Sequence, residues 1–449
     1  MVKKLETSFD VIIVGAGLAG LSCAVELTKK KKKVLILEAE PVIGGRTSSY
    51  NLGGMEVESG FHRFIGYYSH LPKILKTVGI NLDDMLTWEE KVHVRVTDKH
   101  PMEFGMAPVF GATKTIKGLI GNNQYLSTKD KLSLIPFFIN GFKDYLTSPN
   151  KLDSYSIKKY ALQHGVTTRA FHSIVIPLST GVFFLPPERY SAYVFFGLFA
   201  PAIPKFYKMR VGAYLGGMTE VMCKPIADWL VRKGGTILTN AKVDSLIYGD
   251  NKIEGVTLKS GETLLAKHTV VATSLYSAKQ LLYPYFSDDD WFKPMFKLPL
   301  MPAVSMQIEL TEPALPLDVT TFAPYTYLAS FAEQSRTTFR NSKGRLSIIL
   351  SPPEKFLMMD PKDTLEIIIK DAKRIGIHLD EKILSYRQVN HFYDFHTLEP
   401  GYQNLRPTQK THVNGLLLAG DYTKQPYFAT MEGATYSGIK AAKLILAVK

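Results

Sequence analysis

Gly15, Gly17 and Gly20 spell G-x-G-x-x-G directly after an apolar, β-branched run over 9–14 and directly before a stretch, 18–27, that reads as a helix. Few short patterns constrain a fold as tightly. The first glycine permits a tight turn, the second lets a diphosphate approach the backbone, and the third lets helix and strand pack closely. The helix N-terminus then faces the anion. A second apolar run over 34–37 ends at Glu38, where a carboxylate can accept both hydroxyls of an adenosine ribose and would repel a 2′-phosphate. Strand, turn, helix and strand in this order make a βαβ unit, so the chain is α/β with a parallel sheet covered by helices. Lysines 29–33 join the helix to the second strand, where cations complement the negative end of the helix dipole. No aromatic or further basic cluster accompanies them, so they read as a solvated turn and not as a nucleic-acid site.

Two further glycine signals bracket the chain. Gly44, Gly45 and Arg46 follow the second strand, and a guanidinium there can bind phosphate oxygens in a fork. Near the other end, an apolar strand over 416–419 runs into Gly420 and Asp421, and Met431, Glu432, Gly433 and Ala434 open a helix that continues to about 447. Asp421 can hold ligand hydroxyls, and a second helix N-terminus can stabilise negative charge on the ligand. Between these ends, 71–210 reads as mixed helical stretches rich in Phe and Tyr, including 132–146. Strands with hairpin signals return over 234–258, with another strand over 269–272 and an amphipathic helix over 364–375. This order fits two interleaved domains: 1–75, 211–275 and 405–449 in one, 76–210 and 276–404 in the other.

Composition narrows the setting. The 449 residues are 45% hydrophobic and 21% charged, which excludes wholesale disorder and fibrous architecture. Two cysteines, Cys23 and Cys223, build neither a disulfide framework nor a Cys/His zinc site, so no metal is expected and a reducing, cytoplasmic compartment is favoured. No signal peptide is read at the N-terminus. The formal charge of +13 fits nucleic acid, an anionic membrane surface or simply a lysine-rich proteome and does not by itself choose among them, although its scatter along the chain argues against nucleic acid. The apolar segment 192–204 is shorter than the ~20 residues of a spanning helix and contains Pro201 and Pro204. It reads as buried core or as an interfacial, membrane-facing anchor, which would make the protein peripheral on the inner face of the membrane.

The N-terminal block 11–66, with Glu58, Ser59, Gly60, Phe61 and His62, and the C-terminal block LAGDYTKQ (418–425) followed by MEGA (431–434), resemble the flavin-containing amine oxidoreductase superfamily. Within it the likeness is to plant and cyanobacterial-type phytoene and zeta-carotene desaturases. The resemblance implies a Rossmann-like FAD-binding domain interleaved with an α+β substrate-binding domain. It implies non-covalent FAD held by Gly15, Ala16, Gly17, Leu18, Ala19, Gly20, Glu38, Ala39, Gly44, Gly45, Arg46, Gly60, Phe61, His62 and Ala272. Val243 would lie near the adenine, Gly420 and Asp421 near the ribityl-phosphate, and Met431, Glu432 and Ala434 at the isoalloxazine. Covalent attachment near the C-terminal motif would need a cysteine there, and the motif has none. Residues 391–397 read HFYDFHT, a departure from the desaturase pattern of a Pro-Arg pair and Tyr-Lys-Thr, and Pro426 stiffens the following loop.

The activity this implies is removal of a hydride from a hydrophobic, isoprenoid or carotenoid-like substrate onto flavin N5, with reoxidation by a quinone or oxygen. No catalytic side chain is fixed by the pattern; His62 is the first candidate, with a structural role as the competing reading, and His391 and His396 come after it. Two other functions compete: an amine or protoporphyrinogen-type oxidase using oxygen, and a flavin-free escort that binds prenylated proteins.

Overall fold

The computed structural model describes residues 8–89, 91–99, 101–105 and 126–447. Strand Ser8–Val14 pairs in parallel with Val34–Leu37 on one side and with Thr263–Val271 on the other. Thr236–Leu238 extends the sheet beyond Val34–Leu37, and Leu416–Leu418 joins it beside the second half of Thr263–Val271. The first half of that strand pairs instead with an antiparallel hairpin, Val243–Gly249 and Lys252–Leu258. A parallel sheet with both faces covered should carry unbroken apolar runs, and Ser8–Val14 shows why. Val11 and Ile13 point into one core with helices Leu18–Thr28, Lys224–Arg232 and Met431–Ala447. Ile12 and Val14 point into the opposite core with the hairpin and helix Leu275–Phe286.

Sequence pattern places a domain boundary at 275, yet Leu275, Ala278, Leu282, Phe286 and Met295 are buried in this second core. Packing therefore carries the helices Leu275–Phe286 and Lys293–Lys297 with the first sheet. Lysines 29–33 form an exposed turn between the first helix and the second strand.

A second seven-stranded sheet runs Ile383–His396, Leu300–Leu310, Gly344–Leu350, Leu328–Glu333, Thr321–Phe322, Lys91–Val94 and Met102–Gly105. Alternation divides its residues between two faces. Val304, Met306, Ile308 and Ile348 pack on helix Pro361–Arg374, together with its Leu365, Ile368 and Ala372. The alternate residues point the other way, so Ser305 is opposite Ile349, Ile349 opposite Ser330, and Ser330 opposite Phe322. Four strands thus present one row of side chains on a single face.

The stretch 71–210 is less helical than its pattern suggests: strands Leu86–Glu89, Lys91–Val94 and Met102–Gly105 lie within it. Each is four residues long, too short for its period to stand out from the surrounding aromatics. The helical part is real from Thr128–Thr147 onward. There, Phe137, Tyr160, Phe183, Tyr190, Phe195 and Phe196 form an aromatic core. Helix Ala192–Phe199 is the centre of that core, with Ala192, Val194, Phe195 and Phe196 at 0% exposure. The first part of the segment, 192–198, is therefore packing against neighbouring helices, while Ile203 near its end is 51% exposed. No helix among the described residues is long and apolar enough to cross a membrane.

Candidate functional site

The glycine turn is built as its spacing demands. Gly15 has φ +104°, in the region that favours glycine, and its N–H donates to the Leu37 carbonyl at 2.8 Å. A Cβ on Gly20 would sit 2.0 Å from the Gly15 carbonyl oxygen, so only glycine lets the helix start this close to the strand. Gly17 caps helix Leu18–Thr28 without any side-chain bond to its first turn, leaving the N-terminal amides for an anion. Glu38 is fixed at the strand end: Oε2 accepts from Ala16 N at 2.7 Å and Oε1 from Glu40 N at 3.0 Å. The second glycine pair docks on the first loop through Gly44 N to Ala16 O, 3.0 Å.

The chain ends meet at Arg46 and Asp421, whose Nη2 and Oδ1 are 2.5 Å apart. Burial works to raise the Asp421 carboxyl, but Arg46 and its other cationic neighbours reverse this and hold it below the usual carboxylate range. Its second oxygen, Oδ2, is buried without a partner. Arg406 pins the loop behind: its guanidinium donates to the carbonyls of Asp421, Tyr422 and Thr423. Burial draws the Arg406 guanidinium down to about 10. His396, also fully buried, has neither ring nitrogen bonded, and burial beside Arg406 pushes it down to about 3, so it is neutral.

One cavity of about 1440 Å³ joins these parts. Its wall includes Gly15, Gly17, Leu18, Ala19, Glu38, Ala39, Gly44, Gly45, Arg46, Val243 and Ala272 at one end, then Gly420, Asp421, Met431 and Ala434. Gly60, Phe61 and His62 follow, and the Ser305, Ile349, Ser330 and Phe322 row of the second sheet closes the far side. His62 Nδ1 is 3.8 Å from Glu58 Oε2, and Glu58 is itself fixed by Met218 N at 2.9 Å and Ser49 Oγ at 3.2 Å. The HFYDFHT segment is the end of strand Ile383–His396, and His391 through Phe395 line the same cavity.

Three residues expected at the ligand stand elsewhere. Ala16 and Gly20 shape the turn from behind, Ala16 by its N–H to Glu38 and Gly20 by its contact with Gly15. Glu432 faces away from the cavity: Oε1 accepts from Ser69 N at 2.7 Å, His70 N at 2.7 Å and His70 Nδ1 at 2.9 Å, and Oε2 accepts from Leu71 N at 2.9 Å. Met431 and Ala434 border the cavity three positions apart on one face of the helix, and helical rotation turns Glu432 away from that face. Sequence reading also passes over Arg63, which lines the cavity directly after His62, and the whole row on the second sheet. Ser305 and Gln307, two polar residues alternating with apolar ones over 303–308, are a sequence signal for that face. Among the described residues no cluster of His, Cys, Asp and Glu is arranged for a metal ion.

A family model described as flavin containing amine oxidoreductase matches residues 18–446. The chain belongs to that family. Among its relatives, 15-cis-phytoene desaturase of Arabidopsis thaliana is 27% identical over 456 residues, covering 95% of this chain and 78% of the relative. Zeta-carotene desaturase of Synechocystis is 27% identical over 478 residues, covering 97% of each. An oxidoreductase structure from Methanosarcina mazei superposes with a TM-score of 0.75 at 18% identity, covering 96% of this chain and 99% of that one. Putrescine oxidase gives 0.73 at 18%, covering 98% and 99%, a likeness of fold. As a member of this family the chain is an FAD-dependent oxidoreductase. The site fits the cofactor on its own chemistry: an uncapped helix N-terminus, a fixed carboxylate at the strand end, and a buried carboxylate oxygen lacking a partner. Cys23 and Cys223 are both buried outside the cavity wall, which leaves the flavin bound without a covalent bond to cysteine.

Proposed function

We propose that this oxidoreductase desaturates a long, apolar, isoprenoid-type substrate. The observation that carries the reading is the single cavity that joins the glycine turn to the row Ser305, Ile349, Ser330 and Phe322. That row contains no charge, and the carboxylates beside it, Glu89 and Asp318, are committed to Arg63. Asp394 also lines the cavity, so it is the uncharged row, and not a lack of carboxylates, that favours a hydrocarbon chain. The names of the relatives, phytoene and zeta-carotene desaturases, point the same way.

FAD would supply the hydride-accepting chemistry when bound. We assign Gly17, Leu18, Ala19, Arg46 and Asp421 to its diphosphate and ribityl parts, Glu38 to its adenosine ribose, and Met431 and Ala434 to its ring; that all of them line one cavity supports the assignment. The sheet row excludes water and aligns the substrate chain. We assign the proton lost from the neighbouring carbon to His62, a reading supported by its place in the cavity wall with Nδ1 3.8 Å from Glu58 Oε2. We assign electron removal to a quinone, which suits the apolar cavity.

The protein is also proposed to rest on a membrane, with helix Thr128–Thr147 as its main contact. Helix Thr128–Thr147 buries Phe137 and Gly141 against Phe196 and leaves Leu132, Ile135, Ile139 and Leu146 exposed at 58%, 50%, 64% and 74%. Their spacing puts them on one face, the pattern of an interfacial helix.

The deciding experiment is anaerobic mixing of holoprotein with C40 polyenes, amines and porphyrinogens while flavin absorbance is followed. Bleaching by polyenes, with colour restored by a quinone, is the expected result. Bleaching by amines alone would overturn the reading, and restoration only by oxygen would reassign the acceptor.

A further inference from the structure

The second sheet does not line the cavity across its whole width. Strands Ile383–His396, Leu300–Leu310, Gly344–Leu350, Leu328–Glu333 and Thr321–Phe322 each contribute at least one residue to the wall. Lys91–Val94 and Met102–Gly105, next in the sheet order, contribute none. Among the described residues the row therefore ends at Phe322. This residue lines the cavity and keeps 7% of its surface exposed, so a ligand reaches it. On its other side it is packed in a small apolar cluster with Val92, Val94 and Met102, against which Val182 also packs. The cavity lies on one side of Phe322 and filled core on the other.

The place of the Phe322 ring is fixed from three directions. Its strand is held in register by pairing with Ser330, and its carbonyl accepts from Arg95 N at 2.8 Å. Val94 is its partner in the parallel strand beyond. Helix Ile176–Phe183 packs beside it at Gly181, where an added Cβ would collide with the Phe322 ring. Glycine at 181 thus leaves the recess that the ring occupies. A ring enclosed in this way is part of a close-packed interior and does not yield to a ligand that pushes on it.

We propose that Phe322 is the end-stop of the substrate chamber. An extended isoprenoid chain lies along the row from strand to strand, its inner end meets the Phe322 ring, and this contact sets which carbon of the chain comes to the flavin. Neighbouring strands are about 4.8 Å apart, so removing the stop lets the chain advance by one strand spacing, close to the reach of one isoprene unit. The inference rests on the isoprenoid reading and adds to it the residue that determines how deep the chain goes.

The test is a binding series on holoprotein, read by flavin fluorescence, with isoprenoid hydrocarbons that lengthen by one isoprene unit per member. In wild type the affinity should rise with length and stop rising once the chain reaches Phe322, because any further unit stays outside the cavity. In F322A the rise should continue for one more member, which should bind about tenfold or more tighter than it does to wild type, as burial of one further isoprene unit implies. F322V shortens the same side chain and keeps a residue suited to a strand. It should move the break in the same direction, and it carries the test if F322A does not fold. A break at the same member in wild type and in the folded variants overturns the end-stop and leaves the isoprenoid reading in place. No binding of any member to wild type removes the isoprenoid reading, and the end-stop with it.

Discussion

Arg46 Nη2 lies 2.5 Å from Asp421 Oδ1, a contact between residues 375 positions apart. It closes the dinucleotide site, because one partner follows the first βαβ unit and the other ends the last parallel strand. Neither half of the site is complete alone.

Removing either partner should therefore release flavin without unfolding the chain. D421N and R46M are each expected to weaken flavin retention by about 1.5–3 kcal/mol, the range for a hydrogen bond to a charged group, the Arg46 side chain being 33% exposed. The flavin-to-protein absorbance ratio after dialysis measures this. Full occupancy in both variants would remove the pair from the cofactor site.

Stability should fall as the solution turns mildly acidic, through His396. The fold holds this ring neutral, with a pKa of about 3 against an ordinary 6.5, chiefly because burial and then Arg406 oppose its charge. The unfolded chain takes up a proton below about 6.5 that the folded chain refuses. The contribution is thus complete above that pH and drains toward about 3, at about 1.4 kcal/mol per pH unit for one proton. H396Q should show a shallower decline between pH 6.5 and 5 in urea unfolding. Parallel slopes in the two proteins would contradict the assignment.

Glu432 separates a structural role from a ligand role. Its carboxylate collects three backbone amides and the His70 ring at the start of helix Leu71–Val78. Charge-assisted bonds of this kind make E432Q destabilising by about 3 kcal/mol or more. The folded variant should still bind flavin in full, because this side chain points away from the cavity. A thermal melt and an absorbance ratio on one sample read both outcomes, and loss of flavin at unchanged melting temperature would refute them.

Membrane docking should follow the exposed helix face. Replacing Ile135 and Ile139 together by Glu removes two apolar side chains that are exposed in the fold. Sedimentation with vesicles containing anionic lipid should drop about tenfold or more, since burying each such side chain is worth about 1.5–3 kcal/mol. Flavin content should not change. Equal vesicle binding by the double variant would move the contact to another surface.

The part of the site legible in the sequence is the part made by neighbours along the chain. Gly15, Gly17, Gly20 and Glu38 belong to one strand, turn, helix and strand, and local backbone geometry alone demands those residues there. Arg46 and Asp421 were visible for the same reason, each beside a glycine at a strand end, although the bond between them was not. Glu432 sat in a readable motif and still turned the other way, because the helix sets its direction and Ser69, His70 and Leu71, far off in sequence, supply the donors.

The substrate side belongs to tertiary structure. Ser305, Ile349, Ser330 and Phe322 become one row only when four strands align in register, and strand order is a choice among distant segments. Arg63 likewise gains its meaning from Glu89 and Asp318, brought to it from two other segments. Local sequence settled the turn that holds a diphosphate, since a few dihedral angles and one missing Cβ suffice for it. The shape and polarity of the far wall were decided by packing, which joins residues that no spacing rule connects.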